Sequence, residues 1–195
     1  MTLSFGFPRY DAVLAPISDA IHQARIRGVV IFAAAGNEGG NAGGFWPASL
    51  HKTGDVIRVN ASDGMGAPSN MNPGPGICTL GQGVPSCEPN KKSRTPKVVH
   101  RSGSSFATPI AAAIAAIVLG VMDGVNEKDY PEDLVMLRPR LRTWLGMATV
   151  LCETCVQQEG NKALGHFYIT PWHFLGAAEV TQVHAILRIL TNVPP

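Results

Sequence analysis

With 195 residues, 45% of them hydrophobic, the chain has the size of one globular unit with a sizeable core. Lys and Arg number 16 against 14 Asp and Glu, which excludes a strongly basic nucleic-acid binder. The nearest basic run, Lys91 to Arg94, sits among Pro, Asn and Ser and reads as a solvated loop. No basic, apolar, small-residue leader follows Met1, so an intracellular protein is expected.

Thr2 to Phe5 is a short apolar strand broken by Gly6 and Pro8. Ile17, Ala20, Ile21 and Ala24 then recur at helical spacing, with Pro16 near the start and Gly28 at the stop. Val29 to Ala35 is a continuous apolar run, as a parallel strand covered on both faces requires. Strand, helix, strand implies a right-handed crossover. Val56 to Asn60 is a further strand, Gly64 to Gly76 a loop dense in Gly, Pro, Asn and Ser, and Cys78 to Leu80 a short strand. Pro85 to Pro96 again has loop composition, and Val98 to His100 leads into Ser102-Gly103-Ser104-Ser105 and an apolar helix ending near Gly124. The apolar stretch Phe106 to Met122, interrupted by Thr108 and Pro109, is at or below the roughly 17 to 25 residues of a membrane span, so it reads as a core helix with no membrane partner. Asn126 to Pro139, charged and broken by prolines, reads as a linker or surface excursion. Leu141, Trp144, Leu145, Ala148 and Leu151 fall on one helical face, and Val180, Val183, Ile186, Leu187 and Leu190 mark a final amphipathic helix. The pattern predicts a doubly wound α/β fold with a parallel sheet and extra C-terminal helices.

Of the four cysteines, Cys78, Cys87, Cys152 and Cys155, the last two form a lone C-x-x-C. No second ligand pair stands at zinc-site spacing, so no metal and no cofactor is expected, and the thiols are read as structural or free.

Chemistry concentrates in Gly103-Ser104-Ser105-Phe106-Ala107-Thr108-Pro109. Ser105 stands at the start of an alanine-rich helix, where unpaired N–H groups and the helix dipole favour negative charge on a nearby oxygen. Taken alone, the same residue could equally be an N-cap. The segment resembles the G-T-S-x-A-x-P nucleophile motif of the subtilisin-like proteases (subtilases). Ala33-Ala34-Ala35-Gly36-Asn37-Glu38-Gly39 is similar to the A-A-G-N-x-G turn of that family, and Leu3-Ser4-Phe5-Gly6 to its S-x-G strand. Val56 to Asp63 is more weakly similar to the family's V-x-A-x-D strand, and Leu80 to Val84 lies where an A-P-G-like turn is usual. Together these cover residues 2–122. Leu141 to Met147 and Ile169 to Trp172 also resemble segments of fungal intracellular subtilases. The resemblance implies a subtilisin-like fold and a serine-type endopeptidase acting on polypeptides. Ser105 would be the nucleophile and Asn37 the oxyanion donor, such a donor contributing about 3 kcal/mol to lowering the barrier. Ser4, Phe5 and Gly6 on one side and Ala34, Ala35 and Gly36 on the other would be the edges gripping the substrate. Ser104 replaces the usual Thr and keeps a hydroxyl near the oxyanion.

The family's Asp lies in D-[ST]-G and its His in H-G-[TS], both before the S-x-G strand. Neither motif occurs: His22, His51, His100, His166, His173 and His184 are each followed by a residue other than Gly. His100, five residues before Ser105, is poorly placed to act as base. Residues 1–124 are therefore read as a partial catalytic domain whose missing N-terminal half carries the Asp and His, and 125–195 as a C-terminal helical extension. An inactive half-domain that binds peptides without cutting them is the alternative.

Overall fold

A computed structural model describes residues 1–39, 45–69, 74, 76–89, 95–126, 128–156 and 165–194. The solvated loop expected at 91–94 lies outside them, as does part of the loop expected at 64–76. Five strands, β1 (Thr2–Leu3), β2 (Phe32–Ala34), β3 (Ile57–Ser62), β4 (Gly76–Leu80) and β7 (His166–Tyr168), form one parallel sheet in the order β1-β2-β3-β4-β7. Along β2 and β3 the side chains alternate between two cores. Phe32, Ile57, Val59 and Ala61 join one cluster, and Ile31, Ala33 and Val56 the other. Both faces are covered, which is why β2 lies in an unbroken apolar run and why β3 is buried along its whole length although Arg58, Asn60 and Ser62 interrupt its apolar residues.

One face is covered by α1 (Ala15–Ile26) and a 3-10 helix at Ala48–Thr53. Pro16 sits in the first turn of α1, where its missing N–H removes no hydrogen bond. On the other face lies α2 (Ser104–Asp123), packed on β2, β3 and β4 through Ala107, Ala111, Ile114, Ala115, Val118 and Met122. By length and mean hydropathy (2.1) α2 could cross a membrane, but here it is the helix around which the larger core is built. α4 (Trp144–Cys155) and α6 (Glu179–Thr191) enter the same core with Met147, Val150, Leu151, Ile186 and Leu190; a short α5 (Trp172–Leu175) precedes α6.

Two segments differ from the sequence-based expectation. Residues 84–101, read largely as loop, contain an antiparallel hairpin, β5 (Val84–Glu88) on β6 (Lys97–Arg101). Its strands are mostly exposed and carry no apolar alternation, so the ladder and an Arg101 to Glu88 bond of 2.8 Å define it instead. Within the expected linker 126–139, α3 (Pro131–Leu141) forms with Pro131 in its first turn and buries Leu137 and Leu141, one turn apart. Its arginines act as helix-end partners: Arg138 Nη2 donates to Met122 O (2.9 Å) at the end of α2, and Arg140 Nη1 to Leu190 O and Val193 O at the end of α6. Cations at carbonyl-rich helix C-termini are favourable there. The segment 125–195 also adds a strand, β7, to the sheet beside its helices.

Candidate active site

The chain leaves β1 and β2 at the same end of the sheet, and there the two strands part. Between them opens a cleft of about 190 Å³ lined by Phe5, Gly6, Ala34, Gly36, Asn37, Glu38, Phe45, Ser104 and Ser105. The N-terminus of α2 closes one side. Gly103 is its N-cap, with φ of +148°, a conformation that favours glycine, and no side chain caps the helix. Ser105 therefore does not serve as an N-cap: it lies in the first turn, and its Oγ donates to Ser4 O at 3.2 Å. The Ser105 N–H has no acceptor among the described residues, as expected for a first-turn amide.

Asn37 is fixed by one edge of its amide. The Ser104 N–H donates to Asn37 Oδ1 at 2.7 Å, and the Ser104 hydroxyl lies 3.1 Å from the same oxygen. The hydroxyl also accepts from Gly36 N and stands 3.1 Å from Gly36 O. Ser104, almost fully buried, thus stitches the helix start to the Gly36-Asn37 turn. With Oδ1 engaged, Nδ2 is the face of Asn37 left to donate, beside the free Ser105 N–H. The resemblance implied a Ser104 hydroxyl near the oxyanion; its bonds run into the turn that holds Asn37.

Of the expected substrate-contacting residues, Phe5, Gly6, Ala34 and Gly36 line the cleft, and Ser4 meets it through its carbonyl oxygen. Ala35 points away, fully buried, with its N–H donated to Val59 O. Phe45 is the lining residue that sequence reasoning missed. Antiparallel bonds between Phe7 and Trp46 (2.8 and 2.9 Å) bring it to the cleft, where its ring lies against Gly36. A Cβ on Gly36 would come within 2.3 Å of that ring, and Gly36 has φ of +102°, so glycine is needed there twice over. Glu38, the one ionisable side chain among the described lining residues, was also not foreseen as part of the site.

No imidazole among the described side chains hydrogen-bonds to Ser105. His22 of α1 pairs with Asp55 (Nδ1 to Oδ1, 3.2 Å), His51 Nδ1 meets Ala48 O, and His100 lies on β6. Nor do three His, Cys, Asp or Glu side chains gather, among the described residues, as metal ligands would.

Residues 1–164 match the family model of the "Subtilase family". Among curated proteins, the chain is 29% identical over 178 residues to "Subtilisin-like protease het-Q2" of Podospora anserina, covering 86% of the chain and 46% of that protein. It is 33% identical over 107 residues to "Subtilisin-like protease 1" of Pseudogymnoascus destructans, covering 55% of the chain and 26% of that protein. The chain thus spans less than half the length of these relatives. Solved structures with the same fold include the prenylagaramide maturation protease PagA (TM-score 0.61, 21% identity, 96% of this chain and 60% of that one). The S218A mutant of the PatA protease domain is similar to the same degree (TM-score 0.60, 22% identity, 97% and 58%). The family match over most of the chain, on a parallel α/β sheet of matching topology, establishes that this chain belongs to the subtilase family.

Proposed function

We propose that the chain is the nucleophile-bearing part of a serine endopeptidase. Ser105 Oγ gives its proton to a base and attacks the carbonyl carbon of a peptide bond, Asn37 Nδ2 and the Ser105 N–H donate to the oxyanion, the C–N bond breaks as the amine leaves with that proton, and water then takes the acyl group from Ser105. An extended polypeptide lies between the Ser4–Gly6 and Ala34–Gly36 edges, bonded to them as an added strand. The observation that carries this reading is the Ser104 bridge. One buried residue holds Asn37 by its oxygen edge, so that a side-chain donor and a free helix N–H face the same cleft as the Ser105 hydroxyl.

The base and its orienting carboxylate come from sequence outside this chain. At rest Ser105 donates to a carbonyl oxygen, which can hold that proton in a hydrogen bond but cannot take it away, so the nucleophile is unactivated. Among the described residues β1 pairs only with β2, leaving its other edge open, and Phe5, Tyr10 and, on α2, Ile117 are exposed. Such an edge and such side chains suit a further layer of sheet and helix.

Alone, the chain hydrolyses peptides slowly or not at all, the remaining groups stabilising an oxyanion without activating the attack. Joined to the family's D-[ST]-G and H-G-[TS] segments, it cleaves unstructured polypeptides and is labelled by a fluorophosphonate, both lost in Ser105→Ala. Cleavage by the isolated chain that Ser105→Ala abolishes would refute the assignment of the base to other sequence. Peptide binding by the joined protein, without cleavage or labelling, would favour a non-catalytic peptide-binding module.

A further inference from the structure

The cleft beside Ser105 contains an aromatic side chain that joins neither of the two apolar cores. Phe45 is half-buried, and its ring spans the gap between the two edges that grip the substrate. A Cβ built on Gly6 would lie 3.1 Å from Phe45 Cβ and 3.5 Å from Cδ1. One built on Gly36 would lie 2.7 Å from Cε2, the ring atom opposite Cδ1. Each edge thus has a glycine where the ring touches it, and the ring closes the space between them. Its backbone is held from behind: Phe45 O accepts from Ser49 N at 2.8 Å, and the next residue, Trp46, is paired with Phe7.

Little room remains. The cleft of about 190 Å³ amounts to about six water-sized groups of ~30 Å³ each. For the attacked carbonyl to reach Asn37 Nδ2 and the Ser105 N–H, the residue that carries it must place its own N, Cα, C and O here, opposite Gly36, the neighbour of Asn37. Those backbone atoms leave space for about two more, the size of a methyl or hydroxymethyl group. We propose that Phe45 limits the residue on the acyl side of the cleaved bond to glycine, alanine or serine, so that the substrates are polypeptide segments with a small residue before the scissile bond. This rests on the endopeptidase reading of the cleft and adds the substrate class to it. A leucine or phenylalanine at that place has to displace a ring wedged between two backbone edges, and forcing extra methylenes into filled space is unfavourable.

Two measurements test it. Short acetylated peptide amides that differ only in the last residue, Ala, Leu or Phe, are titrated into the 195-residue chain and their binding is followed by NMR. Substrates with the same residues before the scissile bond are assayed for kcat/KM in the protein joined to its D-[ST]-G and H-G-[TS] segments. Ala is expected to exceed Leu and Phe at least tenfold in both, the ordinary penalty for overfilling a pocket. Phe45→Ala should abolish or invert that ratio. Phe45→Val, which keeps an apolar cover on both glycines, should admit Leu and still reject Phe. A preference for Ala in binding with no hydrolysis of any substrate would refute the endopeptidase reading and leave the size selection standing. Leu or Phe matching Ala in the parent, binding of none of the three peptides, or a ratio unchanged in Phe45→Ala would each overturn the proposal.

Discussion

Replacing Asn37 by Asp separates the two jobs assigned to its amide. Oδ1 is an anchor, accepting from the Ser104 N–H at 2.7 Å and lying 3.1 Å from the Ser104 hydroxyl. Nδ2 is the proposed oxyanion donor. An aspartate keeps both anchoring contacts and makes them charge-assisted, and its negative charge stands at the start of α2, where the helix dipole favours it by about 0.3–1 kcal/mol. The folded state should therefore be as stable as the parent or slightly more so. Activity should collapse. Loss of one oxyanion donor raises the barrier by about 3 kcal/mol, roughly a hundredfold in rate, and repulsion between carboxylate and oxyanion adds to it. Asn37→Ala is the contrast: it removes the acceptor as well and leaves the Ser104 N–H unpaired, at about 1–3 kcal/mol of stability. Urea unfolding of the chain reads the first effect, and peptide hydrolysis by the protein joined to its D-[ST]-G and H-G-[TS] segments reads the second. If Asn37→Asp loses more than about 1 kcal/mol, Oδ1 is not the anchor; if it keeps activity within about tenfold, Nδ2 is not the donor.

Three further outcomes are expected. Gly36→Ala should lose about 1–3 kcal/mol in denaturant unfolding, since its φ of +102° is strained for alanine and its Cβ would strike the Phe45 ring. Adding Phe45→Ala should restore only the part due to the ring, and Phe45→Ala alone should widen the cleft and shift cleavage in the joined protein toward larger substrate side chains; full rescue by the double change would contradict this. Burial acts to raise the Asp55 carboxyl, but the Thr53 hydroxyl at 2.6 Å, His22 and Arg25 outweigh it and hold the pKa below 3.8. The unfolded chain then takes up the proton first, so this stabilisation is present above about pH 4 and is lost as pH falls through the lower folded-state value. The stability advantage of the parent over Asp55→Asn should shrink on acidification across that range, and a constant gap would refute the pairing. With Ellman's reagent near neutral pH, exposed Cys87 should react first. Cys78, its thiol pushed up to about 12 chiefly by burial, should react only on unfolding; similar rates for the two would contradict its placement in the core.

How much of the fold was legible depended on where the apolar side chains go. β2 and β3 were readable from runs rich in buried apolar residues, and α2 and α6 from apolar residues at helical spacing on buried faces. The hairpin of β5 and β6 buries almost nothing, so it is specified by backbone pairing and one Arg101 to Glu88 ion pair, neither of which leaves a pattern in composition. In α3 the charges that suggested a linker are helix-end partners for α2 and α6, a use visible only once those helices are packed together. β7 is three residues long and is a strand chiefly because β4 offers it an edge.

At the site, the legible residues are those whose backbone conformation restricts the choice of amino acid. Gly36 and Gly103, both at positive φ, bracket Asn37 and Ser105 in space, so the turn and the helix start carry literal marks in the sequence. Phe45 and Arg58 are different. Each occupies an ordinary backbone position and owes its place to what surrounds its side chain: a ring laid against Gly36 in one case, a guanidinium buried beside Gly74 in the other. Arg58 was even concealed by its own strand, since one charged residue between Ile57 and Val59 reads as the solvent face of a β-strand, whereas all six residues of β3 are buried. On a strand that both layers cover, burial follows from the strand's place in the sheet and not from the polarity of the residue, so no local pattern around Arg58 could have announced it.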